Sequence, residues 1–294
     1  MTSLDGRVAI ITGAGRGLGR EHALLLASLG ARVVVNDHGG NNDGTGADAT
    51  PAADVVDEIV TAGGQAVAND DDVADWDGAG RLVRTAIDAF GDLDILVNNA
   101  GILRDRTIVN MTEAEWDDVV TVHLKGHFAP TRHAGEHWRN EHKAGRAKRR
   151  NLVHTSSTSG LFANPGQSNY GAAKSGIATF SQIAAQELSR YDVVSNCVVP
   201  GARTRLTMAT PGLEDIMAPS ANGFDEWDPA NISPLVAFLS TASCPFNGET
   251  FYAQGGVVRR VQPWTLGETV EQSGRWSVEG LGDALAPLAD SPGA

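Results

Sequence analysis

The chain has 294 residues, 41% of them hydrophobic, and a formal net charge of −13. That length holds one large domain with a sizeable core, and the acidic balance speaks against non-specific nucleic-acid binding. Cys197 and Cys244 are the two cysteines. They have neither metal-site spacing nor the number for a disulfide framework, so no metal is expected and a reducing, cytoplasmic compartment is. The opening MTSLDGRVAI lacks a basic region followed by a long apolar stretch. No run approaches the ~18 apolar residues of a membrane span, so neither a secretory leader nor a membrane partner is expected.

In chain order, Arg7–Thr12 (RVAIIT) is a short β-branched run and reads as a buried strand. Gly13, Gly15, Gly17 and Gly19 follow at once, then a helix over Arg20–Leu29. A second strand, Arg32–Asn36, ends at Asp37, and Gly39–Thr50 is a polar loop. Pro51–Ala62 is a helix and Gln65–Asn69 a third strand that runs into Asp70-Asp71-Asp72-Val73. A helix over Ala79–Phe90 precedes a fourth strand, Leu93–Asn98, followed by Asn99-Ala100-Gly101. Glu113–Trp138 reads as one long helical region and Asn151–Thr155 as the fifth strand. A helix carrying Tyr170 and Lys174 continues to about Arg190. Val193–Val199 is a sixth strand stopped by Pro200-Gly201, and Thr250–Gln254 a seventh, after a helix near Pro234–Leu239. Strands alternating with helices predict an α/β fold of the doubly wound, Rossmann type, a parallel seven-stranded sheet with helices on both faces. In such sheets ligands bind beyond the carboxyl ends of the strands. All the segments singled out below follow directly after strands.

Thr12–Gly19 (TGAGRGLG) joins the first strand to the first helix. Glycines at Gly13, Gly15, Gly17 and Gly19 let the backbone approach a pyrophosphate, and the helix start offers free N–H groups; Arg16 and Leu18 lie within the same turn. Asp37 stands eighteen residues after Gly19, at the end of the second strand. A carboxylate there accepts bonds from ribose hydroxyls and repels a 2′-phosphate, which favours NAD; Arg16 argues the other way, for NADP. Asp72 and Val73 place a carboxylate and an N–H where adenine would lie. Asn98, Ala100 and Gly101 serve either as cofactor contacts or as scaffold at the end of the fourth strand.

Tyr170 and Lys174 are four apart on a helix and share a face. An ammonium beside a phenol lowers the phenol pKa from about 10, and a tyrosine so tuned exchanges a proton with an alcohol or carbonyl oxygen. The hydroxyls of Thr155–Ser159 stand near enough in sequence to bind the same oxygen. His123, inside the long helical region, is either packing or chemistry. The basic run Lys143–Arg150 precedes the fifth strand, so it is expected on the opposite edge as a solvated loop rather than a phosphate patch.

Taken together, TGAGRGLG, Asn98–Gly101 (NNAG), the serine thirteen before Tyr170, Tyr170-x-x-x-Lys174 and Pro200-Gly201 resemble the short-chain dehydrogenase/reductase family, to about residue 262. VVVNDHGG, NNAGILRDRT, VHLKGHF and NPGQSNYGAAK are similar to one branch, the (3R)-hydroxyacyl-CoA dehydrogenase unit of peroxisomal multifunctional enzyme type 2 and its bacterial relatives. The resemblance implies that Tyr170 is the acid/base, that Lys174 lowers its pKa and holds the nicotinamide ribose, and that Ser157 binds the substrate oxygen, with Ser156 and Ser159 as runners-up. It places His123 where most members carry a proton-relay asparagine. Pro200, Gly201 and Arg203 fall at the nicotinamide contact.

The resemblance implies hydride transfer between NAD and a 3-hydroxyacyl-CoA; a hydroxysteroid or a 3-oxoacyl thioester is the alternative substrate, and a non-catalytic nucleotide-binding regulator the alternative class. Thr204–Trp227 is the expected lid, with Met208, Leu213, Ile216, Met217, Phe224 and Trp227 as its apolar surface. Residues 263–294 form an extension whose Trp264 and Trp276 suggest docking on a neighbouring subunit. By analogy with the family, a homodimer or homotetramer is expected through helices around Glu113–Trp138 and Gln182–Arg190.

Overall fold

The computed structural model describes residues 4–208, 217–219, 223–262 and 264–290. The strands are β1 (Val8–Thr12), β2 (Arg32–Asn36), β3 (Gln65–Asn69), β4 (Ile95–Asn98), β5 (Arg150–Thr155), β6 (Val193–Gly201), β7 (Thr250–Gln254) and β8 (Val257–Val261). They form one sheet in the order β3-β2-β1-β4-β5-β6-β7-β8. The first seven run parallel as expected. The eighth is a correction: β8 returns antiparallel on β7, pairing Gln254 with Val257 across a Gly255-Gly256 turn. Its residues are mostly exposed, so it lacks the continuous apolar signature of the buried strands.

Alternate residues of one strand feed opposite cores. Ala9 and Ile11, Val33 and Val35, and Ile95 and Val97 pack toward one face, under α1 (Gly17–Ser28) and α2 (Thr50–Thr61). Val8 and Ile10, Val34 and Leu96 pack toward the other, with α3 (Trp76–Phe90) and Trp138. A period of two with both faces apolar is what makes these strands read as unbroken hydrophobic runs.

The expected long helix is three pieces: α4 (Glu113–Val120), a π-helical stretch over Thr121–Lys125 and α5 (Gly126–Lys143). Thr112 opens α4 with a reciprocal capping box to Glu115. A short α6 (Thr158–Phe162) precedes α7 (Ser168–Leu188), which carries Tyr170 and Lys174. After β6 come a single helical turn, α8 (Arg205–Met208), and α9 (Ser233–Leu239). Strand β6 does not stop before Pro200. Beyond Val198 its β5 partner has ended, and Pro200 and Gly201 pair only with Ala253 and Gln254 of β7. A proline is tolerated there because that side of the strand needs no donor. Residues up to Val261 form one compact unit, and those from Gln262 another. The second contains α10 (Val278–Leu285), opened by Ser277, whose hydroxyl accepts from Gly280 N–H at 3.0 Å.

The basic run before β5 is not a free loop. Lys148 reaches Asp94 at 2.6 Å and Asp92 at 3.0 Å, Arg149 reaches Asp192 at 3.1 Å, and Arg150 is buried against Asp92 and Leu93. Burial pushes the Asp92 carboxyl up, but bonds from His137, Arg150, Leu93 N–H and Lys148 outweigh it and hold the group well below its ordinary value. A depressed carboxyl contributes its stability above about pH 4 and loses it as pH falls further. Asp92→Asn is therefore expected to lower the urea midpoint at pH 6 and to flatten its decline below about pH 4; an unchanged acid limb would remove Asp92 from the cause.

Candidate active site

The carboxyl ends of β1, β2, β4, β5 and β6 open on one rim, and the glycine turn, Asp37, residues 98–101, Ser157 and Gly201 all stand there. Gly13 and Gly17 have φ of 62° and 54°, left-handed backbone that favours glycine. A Cβ on Gly13 would come 2.8 Å from Ala100 Cα, and one on Gly19 would strike the Gly13 carbonyl. Helix α1 starts with no side-chain cap and no acidic residue in its first turn, which leaves its N–H groups and positive end facing the rim. Leu18 packs on the core below. Asp37 accepts from Gly15 N–H at 2.8 Å through Oδ2 and from Gly39 N–H at 2.7 Å through Oδ1. It thus braces the turn and still presents unused lone pairs. An uncapped helix start, a tight glycine cradle and a carboxylate at the end of β2 fit a dinucleotide.

Thr12 and Asn99, which the sequence did not distinguish from their neighbours, lock this cradle. Thr12 Oγ1 accepts from Asn99 and Ala100 N–H at 2.9 and 3.1 Å, and Asn99 Nδ2 donates to the carbonyls of Thr12 and Gly13. Of the two roles open to Asn98, its side chain takes the scaffold one. Its side chain is fully buried and donates to Thr131 Oγ1 at 3.0 Å and toward His154 Nδ1 at 3.3 Å. Strand alternation turns it onto the sheet face covered by α5, which carries Thr131. Asp72 uses Oδ1 on Ala74 N–H at 2.8 Å, and Val73 packs its methyls on Gly126. Arg203 is tied to Asp225, with Nη1 at 2.8 Å from the Met217 carbonyl, so its guanidinium closes the base of the expected lid rather than facing a nicotinamide. Leu213 and Ile216 of that lid lie outside the described residues.

Ser157 caps α6, its hydroxyl accepting from Ser159 N–H at 3.2 Å, and it is the serine whose side chain acts on the Tyr170 phenol and favours its ionised form. Ser156 is buried and donates to the Lys174 carbonyl at 2.7 Å, while Ser159 donates to Gln167 Oε1 at 2.7 Å. Of the three serines, Ser157 is the one that meets the phenol. Lys174 is buried, its Nζ donating to the Thr155 carbonyl at 2.7 Å and lying 5.5 Å from the centroid of the Tyr170 ring. The His123 ring meets that of Tyr170 edge-on, centroids 5.0 Å apart. Asn169 fixes the start of α7 by donating to the carbonyls of Arg104 and Glu115 at 3.0 and 2.9 Å.

The expectation that Lys174 pulls the phenol down is reversed in this state. Burial pushes Tyr170 up to about 12, opposed by its bond to Ser157 and aided by the Asp105 charge. Burial also pulls Lys174 down to about 7, partly offset by Cys197. Where loss of water contact outweighs the neighbouring charges, both groups favour their neutral forms. A phenol with a second hydroxyl close by, beside a buried amine, can hand a proton to a carbonyl oxygen or receive one from an alcohol.

The family model described as short chain dehydrogenase matches residues 7–211. The chain belongs to the short-chain dehydrogenase family. It is an oxidoreductase that binds a nicotinamide cofactor, NAD or NADP. A crystal structure of a short chain dehydrogenase from Mycobacterium avium superposes with TM-score 0.86 at 46% identity, covering 97% of this chain and 95% of that one. Hydroxyacyl-CoA dehydrogenase ChsB1 of Mycobacterium tuberculosis is 44% identical over 89% of this chain and 81% of its own length. Peroxisomal multifunctional enzyme type 2 of Drosophila melanogaster is 43% identical over 98% of this chain, which spans 43% of that longer protein. Among the described residues no helix is long and apolar enough to cross a membrane, and no cluster of His, Cys, Asp and Glu is fit to hold a metal ion.

Proposed function

We propose that this dehydrogenase uses NAD to oxidise a 3-hydroxyacyl-CoA, or to reduce the corresponding ketone in reverse. The observation that carries the reaction type is the buried Lys174, fixed on the Thr155 carbonyl at 2.7 Å and standing 5.5 Å from the centroid of the Tyr170 ring, with Ser157 on the same rim. Bound NAD supplies the hydride acceptor. Ser157 and Tyr170 hold the substrate oxygen, and Tyr170 exchanges its proton. Lys174, fixed by Thr155, stands behind the phenol. The likeness to a protein named as a hydroxyacyl-CoA dehydrogenase supports the substrate class. Absorbance at the NADH band, with a panel of 3-hydroxyacyl-CoAs and hydroxysteroids run with NAD and NADP, tests it. Turnover of steroids alone overturns the acyl-CoA reading, and no turnover of either returns a nucleotide-binding regulator.

Asp37 supports NAD. Arg16 and Arg205 support NADP, since both guanidiniums point at the Gly40 carbonyl, at 3.3 and 3.2 Å, and neither forms an ion pair among the described residues. We place Asp37 first because its fixed carboxylate repels a 2′-phosphate at short range. Asp37→Ser is expected to shift the ratio of kcat/KM for NAD over NADP by at least about tenfold toward NADP, the equivalent of ~1.4 kcal/mol. A wild-type preference for NADP would reverse the assignment.

The helical faces of α5 and α7 leave Phe128 and Ile183 half-exposed along a cleft of about 260 Å³, which supports self-assembly as a dimer or tetramer. Two buried free thiols support cytoplasmic residence. The extension from residue 263 belongs, on this reading, to subunit contacts.

A further inference from the structure

One carboxylate close to Tyr170 has no part in the reaction described above. Asp105 follows β4, and residues 104–106 are stitched one by one to the start of α7. The Arg104 carbonyl accepts from Asn169 Nδ2 at 3.0 Å, Asp105 Oδ2 accepts from Gln167 Nε2 at 2.7 Å, and Arg106 N–H donates to the Gly166 carbonyl at 2.8 Å. Gln167 is the N-cap of α7 and is itself buried. Its Oε1 accepts from Ser159 Oγ at 2.7 Å and from Asn164 Nδ2 at 2.9 Å. One carboxamide thus joins Asp105 to α6, whose N-cap is Ser157, and to α7, whose third residue is Tyr170.

This arrangement leaves the Asp105 charge with little to answer it. Its Oδ1 is shut off from solvent and has no hydrogen-bond partner among the described residues. The cations on either side are engaged elsewhere, Arg104 with Asp118 at 3.0 Å and Arg106 with Glu115 at 3.3 Å. Burial raises the Asp105 carboxyl above its ordinary value, and the Gln167 bond offsets only part of that. The first turn of α7 holds no acidic residue of its own, so Asp105 supplies the carboxylate at its positive end. Three further groups face Tyr170: Lys174 one turn along α7, the buried neutral His123 ring edge-on from the π-helical stretch, and Ser157 at the start of α6. None of these carries negative charge, which leaves Asp105 as the anion that acts on the phenol.

We propose that Asp105 is a positioning residue of this active site, which through Gln167 fixes α6 against α7 and sets a negative charge against ionisation of the Tyr170 phenol. A neighbouring anion makes the phenolate costly and keeps the phenol in the form that donates to a carbonyl oxygen. Lys174, when protonated, acts in the opposite sense. Asp105 therefore sets the pH below which alcohol oxidation slows, because oxidation needs the phenolate. No bond is made or broken at Asp105, and no proton passes through it. Its use in turnover rests on the dehydrogenase reading; its effect on the phenol does not.

Asp105→Asn removes the charge and keeps an acceptor for Gln167 Nε2. In the cofactor-free protein, carbon-13 NMR of the Tyr170 ring, assigned among the three tyrosines with Tyr170→Phe, reads the phenolate without substrate. At one alkaline pH below the wild-type midpoint, the ratio of phenolate to phenol is expected to be about three- to tenfold larger in Asp105→Asn. An unchanged ratio overturns the proposal. In turnover, the rising limb of kcat/KM for alcohol oxidation is expected to move to lower pH by about half a unit to one unit, with NAD affinity kept. Asp105→Leu also drops the Gln167 bond and should lower the plateau roughly tenfold below that of Asp105→Asn; equal plateaus reject positioning through Gln167. A merely structural aspartate lowers thermal stability and leaves the pH limb in place, and that result rejects the proposal. Should Asp105→Asn not fold, Asp105→Ser is read in the same way. A wild-type protein inactive on every substrate defeats the acyl-CoA reading alone, and the NMR result then decides the role of Asp105.

Discussion

Tyr170→Phe is expected to lower turnover by about 10²- to 10⁴-fold while NAD binding is retained. The variant deletes one hydroxyl and keeps the ring. The edge-on contact with His123 and the 5.5 Å approach of Lys174 to the ring survive, so the fold has no reason to change. What goes is the hydroxyl that meets Ser157 and exchanges a proton with the substrate oxygen. Water is a poor substitute, because the phenol is placed by α7 rather than by diffusion. Initial rates give kcat, and fluorescence titration gives the NAD affinity. Retention of more than about one-hundredth of the wild-type rate would falsify the assignment of Tyr170 as the acid/base.

Arg150→Met is expected to be the most destabilising single change at the opposite edge of the sheet. The guanidinium is 2% exposed, donates to the Leu93 carbonyl and to Asp92, and lies 3.4 Å from Asp94. Removing one partner of a buried ion pair leaves uncompensated charge and costs about 3–5 kcal/mol. For a chain of this size that lowers the melting temperature by roughly 10 °C. Lys148 meets the same carboxylates, but its side chain is 47% exposed. Lys148→Met is expected to cost less than half as much, because water replaces an exposed ammonium cheaply. Differential scanning calorimetry of both variants separates them; equal shifts would mean that burial does not set the difference.

Much of the rim was legible because the chemistry lies in local patterns. The glycine turn announces itself between a β-branched run and a helix, and Asp37 ends the next run. Tyr170 and Lys174 share a helical face whatever surrounds them. The bonding of Ser156, Ser157 and Ser159 was not legible, since three adjacent hydroxyls differ only in which way β5 and α6 turn them. Asn98 and Asn99 show the same limit: one alternates into the core and the other onto the glycine turn. Arg150 reads as one more residue of a basic loop until Asp92 and Asp94 are brought over it from the segment that leads into β4. The direction of the Tyr170 shift depends on desolvation, which spacing along a helix does not report. Strand β8 escaped because an exposed edge strand carries no apolar run.

The π-helical stretch at Thr121–Lys125 has a consequence for how this segment tolerates change in length. A π-turn is a regular helix holding one residue too many. Deleting a single residue there would let the backbone heal into an unbroken α-helix, at little local cost. The side chains of α4 and α5 would keep their bearings, because the bulge already absorbs the extra residue, and only those within Thr121–Lys125 would turn about the axis. Such a protein would keep both flanking helices packed while moving His123 off its edge-on contact with Tyr170, sound as a scaffold and altered at the active site.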